Sequence, residues 1–247
     1  MKAMILAAGL GSRLRPLTDD RPKALVEVGG RTLLEITLLR LRSFGVRQVI
    51  INVHHFADMV IGYLKANNNF GIRIEVSREE VLLDTGGGLK KAAYFFLENS
   101  SHPDEPFLLH NVDVLSTIDF QHMVNIHNQR HALATLAVQE RETSRYLLFD
   151  QHLLLCGRRG GRDGVPELVR SGPEPQAFAF SGIHVISPRV FPLLTEEGPF
   201  SIITFYLRLA AQGENVLAFR ADQYDWRDLG RLESIALAEK DFRDKVP

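Results

Sequence analysis

The sequence predicts an α/β protein built on a parallel sheet with helices on both faces. Three observations carry this. Strand-length apolar runs alternate with helix-length segments of 3.6-residue periodicity through the first half of the chain. The periodic segments stop at turn residues, Gly45 and Asn67-Asn68-Asn69. The 247 residues, 45% of them hydrophobic and 24% charged, can bury a substantial core without disulfides or structural metal.

Taken in order, residues 1–7 read as a buried strand running into Gly9 and Gly11, followed by a long polar loop with Pro16 and Pro22. Thr32-Leu33-Leu34-Glu35 has capping-box spacing and opens an amphipathic helix that ends at Gly45. A strand is predicted at 48–53, a helix at 57–64 and an alternating strand at 72–76. A glycine-rich turn then leads into a helix through Leu97, and 107–110 supplies the next strand. This β-α-β-α-β order implies parallel neighbours. The second half is richer in strands, at 132–138, 145–149, 178–186 and 216–220, with helices at 202–211 and from Leu232 to near the end. Residues 157–175, dense in Gly, Pro and Arg, read as a mobile loop over a site. Neither repeat nor low-complexity linker interrupts the chain, so a single domain over 1–247 is expected.

Composition excludes several classes of function. The 29 basic and 30 acidic residues leave a net charge of −1, which gives no general affinity for nucleic acid or anionic membrane. Any phosphate site has to be local. The single cysteine, Cys156, cannot form an intramolecular disulfide and reads as a packing residue. The N-terminal apolar run is broken at once by Gly9, and no stretch approaches the roughly twenty apolar residues that span a bilayer. A cytoplasmic protein is expected. The pairs His54-His55 and His127/His131 are not read as metal sites, Asn128 standing where a zincin has its glutamate. Phe95-Phe96 and the 33–41 stripe read as core.

The informative segment is Leu6-Ala7-Ala8-Gly9-Leu10-Gly11-Ser12-Arg13-Leu14-Arg15-Pro16-Leu17-Thr18, followed by Arg21-Pro22-Lys23. A strand ending in small residues lets the N–H groups of Ala8, Gly9 and Gly11 approach an anion closely, and successive exposed amides form an anion-binding nest. Ser12 adds a hydroxyl, and Arg13, Arg15 and Lys23 place three cations beside the nest. Leu14 stands where the dinucleotide fingerprint needs its third glycine, and no Gly-Lys-Ser/Thr follows Gly11 to make a Walker A loop.

The run from Leu6 through Lys23 resembles the L-A-A-G-x-G-x-R-x-x-P-L-T…P-K signature of the sugar-1-phosphate nucleotidyltransferases. That family includes mannose-1-phosphate guanylyl-, glucose-1-phosphate thymidylyl- and N-acetylmuramate-1-phosphate uridylyltransferases. The resemblance implies a Rossmann-like, doubly wound mixed sheet of the glycosyltransferase-A-like nucleotidyltransferase fold, without the β-helix extension of longer relatives. It implies that residues 1–130 form a nucleotide-binding half and 131–247 a sugar-phosphate-binding half. Leu6, Ala7, Ala8, Gly9, Gly11 and Ser12 would then lie against the nucleotide, with Arg13 and Lys23 as the catalytic cations on its phosphates.

Three further stretches support the resemblance. Asp84-Thr85-Gly86-Gly87-Gly88 places glycines at the opening of a helix, where a flat ring can lie against the backbone. It resembles the family's T-G-G-G element, which implies nucleotide contacts for Thr85, Gly86 and Gly87. His110-Asn111-Val112-Asp113 ends an apolar strand, where ligands bind in open α/β sheets. By resemblance Asn111 faces the nucleotide and Asp113 binds Mg²⁺, with Val112 departing from the family's small residue. Trp226-Arg227-Asp228-Leu229-Gly230 resembles the late W-x-D-x-G motif, which makes Asp228 the second ligand. A pair of aspartates suits Mg²⁺, which takes few carboxylates and completes its shell with phosphate oxygens and water.

The acceptor side is less marked. Phe180-Ser181-Gly182-Ile183 resembles the family's F-S-G-I strand, which places Gly182 near the sugar phosphate. No lysine occurs between Lys91 and Lys240, so Arg158, Arg159, Arg162 or Arg170 is the candidate replacement for the relatives' phosphate-binding lysine. Leu147 replaces the glycine of a sugar-contacting Tyr-Gly pair. The expected reaction joins a nucleoside triphosphate to a sugar-1-phosphate and releases pyrophosphate. UTP or GTP is favoured, and uridylyl transfer to an amino-sugar phosphate for the cell envelope is preferred by resemblance. The alternative is a catalytically silent relative that binds nucleotide sugars, with Val112 and Leu147 in its support.

Overall fold

A computed structural model describes residues 1–98, 104–170 and 175–244, apart from the side chains of 241–244. The chain forms two units. The first comprises Met1–Leu82, His110–Thr117 and Trp226–Pro247, the second Leu83–Leu109 and Ile118–Asp225.

The first unit begins with β1 (Lys2–Leu6), whose Ala3, Met4 and Ile5 are fully buried. The polar loop after it holds a short hairpin, β2 (Glu27–Val28) and β3 (Arg31–Thr32), too brief to show any periodicity. Helix α1 (Leu33–Ser43) starts at Thr32, whose hydroxyl accepts from the Glu35 N–H at 3.0 Å. Only half of the capping box forms, because Glu35 turns instead to accept from the Tyr63 hydroxyl at 2.9 Å. The helix ends at Gly45, whose φ of 80° lets the Val46 N–H return to the Leu41 carbonyl. Strand β4 (Gln48–Val53), helix α2 (Ala57–Ala66) and strand β5 (Arg73–Arg78) follow. β1 pairs with β4 and β4 with β5, both parallel, and Leu6 lies opposite Asn52. The β-branched core of β4, Val49-Ile50-Ile51, is fully buried.

In the second unit α3 (Asp84–Lys91) starts two residues before the glycines, so Gly86, Gly87 and Gly88 lie inside the helix and are buried. Helix α4 (Ala93–Leu97) turns Phe96 into a stack with Phe107 and Phe191, ring centroids 3.9 and 5.7 Å away. Strand β6 (Phe107–Asn111) carries the chain into the first unit, where β7 (Val114–Ser116) follows. Helix α5 (Phe120–Gln129) returns it to the second unit and to β8 (Ala134–Gln139), β9 (Arg145–Phe149), β10 (Leu155–Gly160), β11 (Glu167–Leu168) and β12 (Gln176–Ile186). Helix α6 (Ile202–Ala211) and β13 (Val216–Arg220) complete that unit. Then β14 (Trp226–Asp228) and α7 (Leu232–Asp244) belong to the first.

Strand order is β1-β4-β5 in the first unit and β11-β10-β9-β12-β6 in the second, where β8 joins β12 to β13. The β1, β4 and β5 ladders are parallel, whereas β8, β9, β10, β11 and β12 pair antiparallel with one another and only β13 runs parallel to β8. This is the mixed α/β sheet expected. Within the segment expected to be a mobile loop, 157–175, residues 157–160 and 167–168 are instead strand, joined by a turn. β10 pairs with β11 so closely that a Cβ on Gly157 would overlap the Glu167 carbonyl. Residues 171–174 lie outside those described. Among the described residues no helix is long and apolar enough to cross a membrane.

Candidate active site

β1 delivers the chain into the loop at Leu6, with Ala7 and Ala8 buried and Gly9 exposed. Gly11 has φ 67° and precedes a turn of 3₁₀ helix at Ser12–Leu14. A Cβ on it would also meet Thr18 Cγ2 at 2.9 Å, so both conformation and space call for glycine. Thr18 is buried and donates its hydroxyl to the Gly11 carbonyl at 2.9 Å, fastening the far side of the loop. Ser12 and Arg13 are both exposed. Arg15 pairs with Asp19 at 3.4 Å instead of joining this group, so two of the three cations remain beside the loop.

Those two meet the two aspartates. Lys23 Nζ lies 2.7 Å from Asp113 Oδ2, and both side chains are largely buried, at 15% and 10% exposure. Asp113 follows β6 and Asp228 ends β14. The antiparallel pairing of β14 with β7 puts Asp228 opposite Val114, one residue from Asp113. The Leu229 N–H then donates to the Asp113 carbonyl at 2.7 Å, and the Gly230 N–H to Asp228 Oδ1 at 2.8 Å. Gly230 is the centre of the group. A Cβ placed there would lie 2.8 Å from Asp113 Oδ2, 2.8 Å from Asp228 Oδ1 and 2.9 Å from Arg13 Nη2. Arg13 and Asp228 also approach directly, at 4.0 Å. Two carboxylates, a guanidinium and, through Asp113, an ammonium thus face a single point.

The arrangement can be tested against a divalent cation. Both acids offer hard oxygen donors to one place, and among the described residues no cluster of three or more His, Cys, Asp or Glu competes with them. Two carboxylates that leave most of the shell to phosphate oxygens and water match what Mg²⁺ takes, so the residues fit. Asn111, at the end of β6, has its carbonyl 2.8 Å from His110 Nδ1. His110 itself is buried, and burial lowers its pKa to about 4, leaving it neutral at pH 7.

The remaining predicted residues lie in the second unit. Gly86 and Gly87 donate their N–H groups to the Phe200 carbonyl at 2.9 and 3.4 Å. A Cβ on Gly86 would overlap the edge of the Phe200 ring, so the ring lying against this glycine is one of the protein's own. Thr85 Oγ1 accepts from the Ile202 N–H at 2.9 Å, at the start of α6. Gly182 has φ 73° within β12, at the register shift against β8 between Phe180 and His184.

A nucleotidyl transferase family model matches residues 2–245. An N-acetylmuramate alpha-1-phosphate uridylyltransferase from Caulobacter vibrioides is 36% identical over 219 residues, covering 85% of each chain. The chain belongs to the sugar-1-phosphate nucleotidyltransferase family. A mannose-1-phosphate guanyltransferase beta-B from Xenopus laevis is 32% identical over all of this chain and 67% of its own. The fold of a UDP-glucose pyrophosphorylase from Acinetobacter baumanii superposes with a TM-score of 0.79 at 18% identity, covering 100% of this chain and 94% of the other.

For this nucleotidyltransferase the two departures from family pattern are packing residues. Val112 is buried, its N–H bound to the Leu6 carbonyl and its own carbonyl accepting from the Thr37 hydroxyl. Leu147 is buried in β9 between β10 and β12. Neither gives the catalytically silent alternative any support. The four candidate arginines each have a local neighbour. Arg158 pairs with Glu167 at 2.6 Å, Arg159 lies over the Tyr146 ring, Arg162 approaches Glu142, and Arg170 donates to the carbonyls of Ala210 and Glu214. Cys156 is buried, and burial raises its thiol pKa. Sequence reading missed the part played by Gly230, although the W-x-D-x-G motif contains it. It also missed Asn52, a buried amide inside an apolar strand, which accepts the Ala7 N–H at 2.8 Å.

Proposed function

We propose that this nucleotidyltransferase transfers a uridylyl group from UTP to an amino-sugar 1-phosphate of the N-acetylmuramate type, giving a UDP-sugar and pyrophosphate. The convergence of Asp113, Asp228 and Arg13 on the point beside Gly230, with Lys23 on Asp113, is the observation that carries a triphosphate reaction here. The choice of UTP and an amino sugar follows the 36% identical uridylyltransferase. Guanylyl transfer to mannose-1-phosphate is the second reading, favoured by the 32% identical guanyltransferase.

In the proposed reaction a phosphate oxygen of the sugar-1-phosphate attacks the α-phosphorus of the triphosphate. A new P–O bond forms, the bond to the β-phosphate breaks, and pyrophosphate leaves with the electron pair. The amides around Gly9 and Gly11, with the Ser12 hydroxyl, receive phosphate oxygens, and Leu6, Ala7, Ala8 and Asn111 line the nucleoside. Lys23 is held by one of its three N–H donors to Asp113, which leaves two for the phosphates at the reacting centre. Arg13, 57% exposed, is free to swing onto the departing phosphates and offers a planar fork of donors to them. Mg²⁺, held by Asp113 and Asp228, would supply further positive charge to the phosphate oxygens. Little covalent chemistry is asked of the protein; positioning and electrostatics carry the rate.

Thr85, Gly86 and Gly87 are assigned to the base side and Gly182 to the sugar phosphate. The reading treats the chain as one catalytic domain, residues 1–130 serving the nucleotide and 131–247 the acceptor. It works in the cytoplasm on small molecules, with neither nucleic acid nor membrane as partner, and supplies an NDP-sugar to the cell envelope. Pyrophosphate release, measured with Mg²⁺ for UTP, GTP, dTTP and CTP against a panel of sugar-1-phosphates, tests it. Release that requires UTP with an amino-sugar phosphate is the expected result. Release only with GTP and mannose-1-phosphate would select the second reading, and none with any pair would reject both.

A further inference from the structure

Behind the phosphate loop lies a buried chain of polar groups that the proposed reaction does not use. β1 ends at Leu6, and the next residue, Ala7, is already leaving the sheet. Its N–H is taken by a side chain, Asn52 Oδ1, at 2.8 Å. Asn52 stands opposite Leu6 near the carboxyl end of β4 and is 2% exposed. Its Nδ2 donates to Glu79 Oε1 at 2.7 Å, and Glu79 is 4% exposed. Glu79 is fixed in turn by its backbone, the N–H bound to the Val53 carbonyl at 2.8 Å and the carbonyl 2.8 Å from His54 Nδ1.

A carboxamide has two ends of nearly equal shape, and only its partners decide which faces which way. Here a carboxylate, which can only accept, takes the amide nitrogen. The oxygen is then the end presented to Ala7. A flipped carboxamide would set oxygen against carboxylate and N–H against N–H. Glu79 therefore orients Asn52, and Asn52 sets where the chain turns out of the sheet. Two residues further on, Gly9 lies beside Lys23, whose Nζ would be 3.8 Å from a Cβ at that position. We propose that Asn52 and Glu79 are positioning residues for nucleotide binding, holding the root of the phosphate loop through the Ala7 N–H. The inference rests on the reading of that loop as the nucleotide site.

Exchange of the two side chains' chemistry tests it. Asn52→Asp alone puts two carboxylates face to face, and Glu79→Leu takes away the acceptor of the amide nitrogen. A double variant, Asn52→Asp with Glu79→Gln, restores the chain with the roles reversed. The carboxylate introduced at position 52 accepts from the Ala7 N–H, and the carboxamide introduced at position 79 donates to that carboxylate. The readouts are the dissociation constant of UTP with Mg²⁺ by titration calorimetry, kcat and KM, and near-UV circular dichroism. Each single variant is expected to raise the nucleotide Kd and KM about tenfold, with the sugar-phosphate KM changed little. The double variant is expected to return both to near wild type, which a purely volumetric role of Asn52 would not produce. Single variants that are folded and bind UTP like wild type would overturn the inference, as would a double variant no better than Asn52→Asp. If wild type bound no nucleotide, the functional reading would fall first and this inference with it; binding by wild type equal to that of the variants would remove this inference alone.

Discussion

Around Gly230 the space a side chain would take is bounded by two carboxylates and a guanidinium, whereas around Gly86 it is filled by the Phe200 ring. Both positions demand glycine, for opposite reasons. At Gly230 the neighbours are charged groups drawn from three distant segments, and they are balanced in sign rather than sealed off from water; Arg13 and Asp228 keep 57% and 39% exposure. Such groups can trade one another for a ligand's charges. At Gly86 the contact is apolar and is held further by N–H bonds from Gly86 and Gly87 to the Phe200 carbonyl. The first region is therefore sensitive to charge and the second to volume.

The largest effect is expected where charge is removed from the first region. Lys23→Ala and Asp113→Asn should each lower kcat by about 10²–10³, the usual cost of losing one charged group that stabilises a transition state. Near-UV circular dichroism should be unchanged, and wild-type turnover in either purified variant would break the comparison. Gly230→Ala comes next. It adds no charge, yet its methyl would press on Asp113, Asp228 and Arg13 together, and turnover should drop by about 10–10² through misplacement alone. Gly86→Ala should show the reverse balance. Its methyl overlaps the Phe200 ring, so urea unfolding should register a loss of about 1–3 kcal/mol, with turnover falling less than in Gly230→Ala. Phe200→Leu should recover part of that stability in a double-mutant cycle.

The smallest effect belongs to a buried site elsewhere in the second unit. His127 is buried against the Thr135 hydroxyl at 2.9 Å, and burial lowers its pKa to about 4 from the ordinary 6.5. The unfolded chain therefore takes up the proton first as the pH falls. The stability due to neutral His127 is present above pH 6.5 and is lost as the pH falls toward 4. Between pH 7 and pH 6 the share due to His127 should be about 0.7 kcal/mol, read from urea midpoints as the difference between wild type and a His127→Gln variant, the similarly lowered His110 contributing equally to both.

The parallel strands and their helices were legible because each is long enough to show its period, as β4 and α1 do. The loop proposed to receive the phosphates stood out because small residues and cations crowd into so few positions. What brings Asp228 to Asp113 is the pairing of β14 with β7, strands of three residues each, which leave no periodic trace. Asn52 escaped notice because one amide in an apolar strand has no pattern of its own, and its meaning depends on Glu79, 27 residues on. The glycines of α3 suggested a ring against the backbone, and a ring is there; that it is Phe200, far along the chain, no local spacing could tell. The acidic, aromatic and carbonyl partners of the arginines of 157–170 were not legible, because they are set by strand pairing and by a helix that local sequence does not reveal.

The central claim is that the triphosphate is received by the charged group around Gly230. A crystal structure with Mg²⁺ and a UTP analogue that cannot be cleaved between the α- and β-phosphates tests this most directly. The account predicts phosphates in contact with Arg13 and Lys23 and the metal on Asp113 and Asp228. Phosphates bound elsewhere, with the Lys23–Asp113 pair still closed, would contradict it.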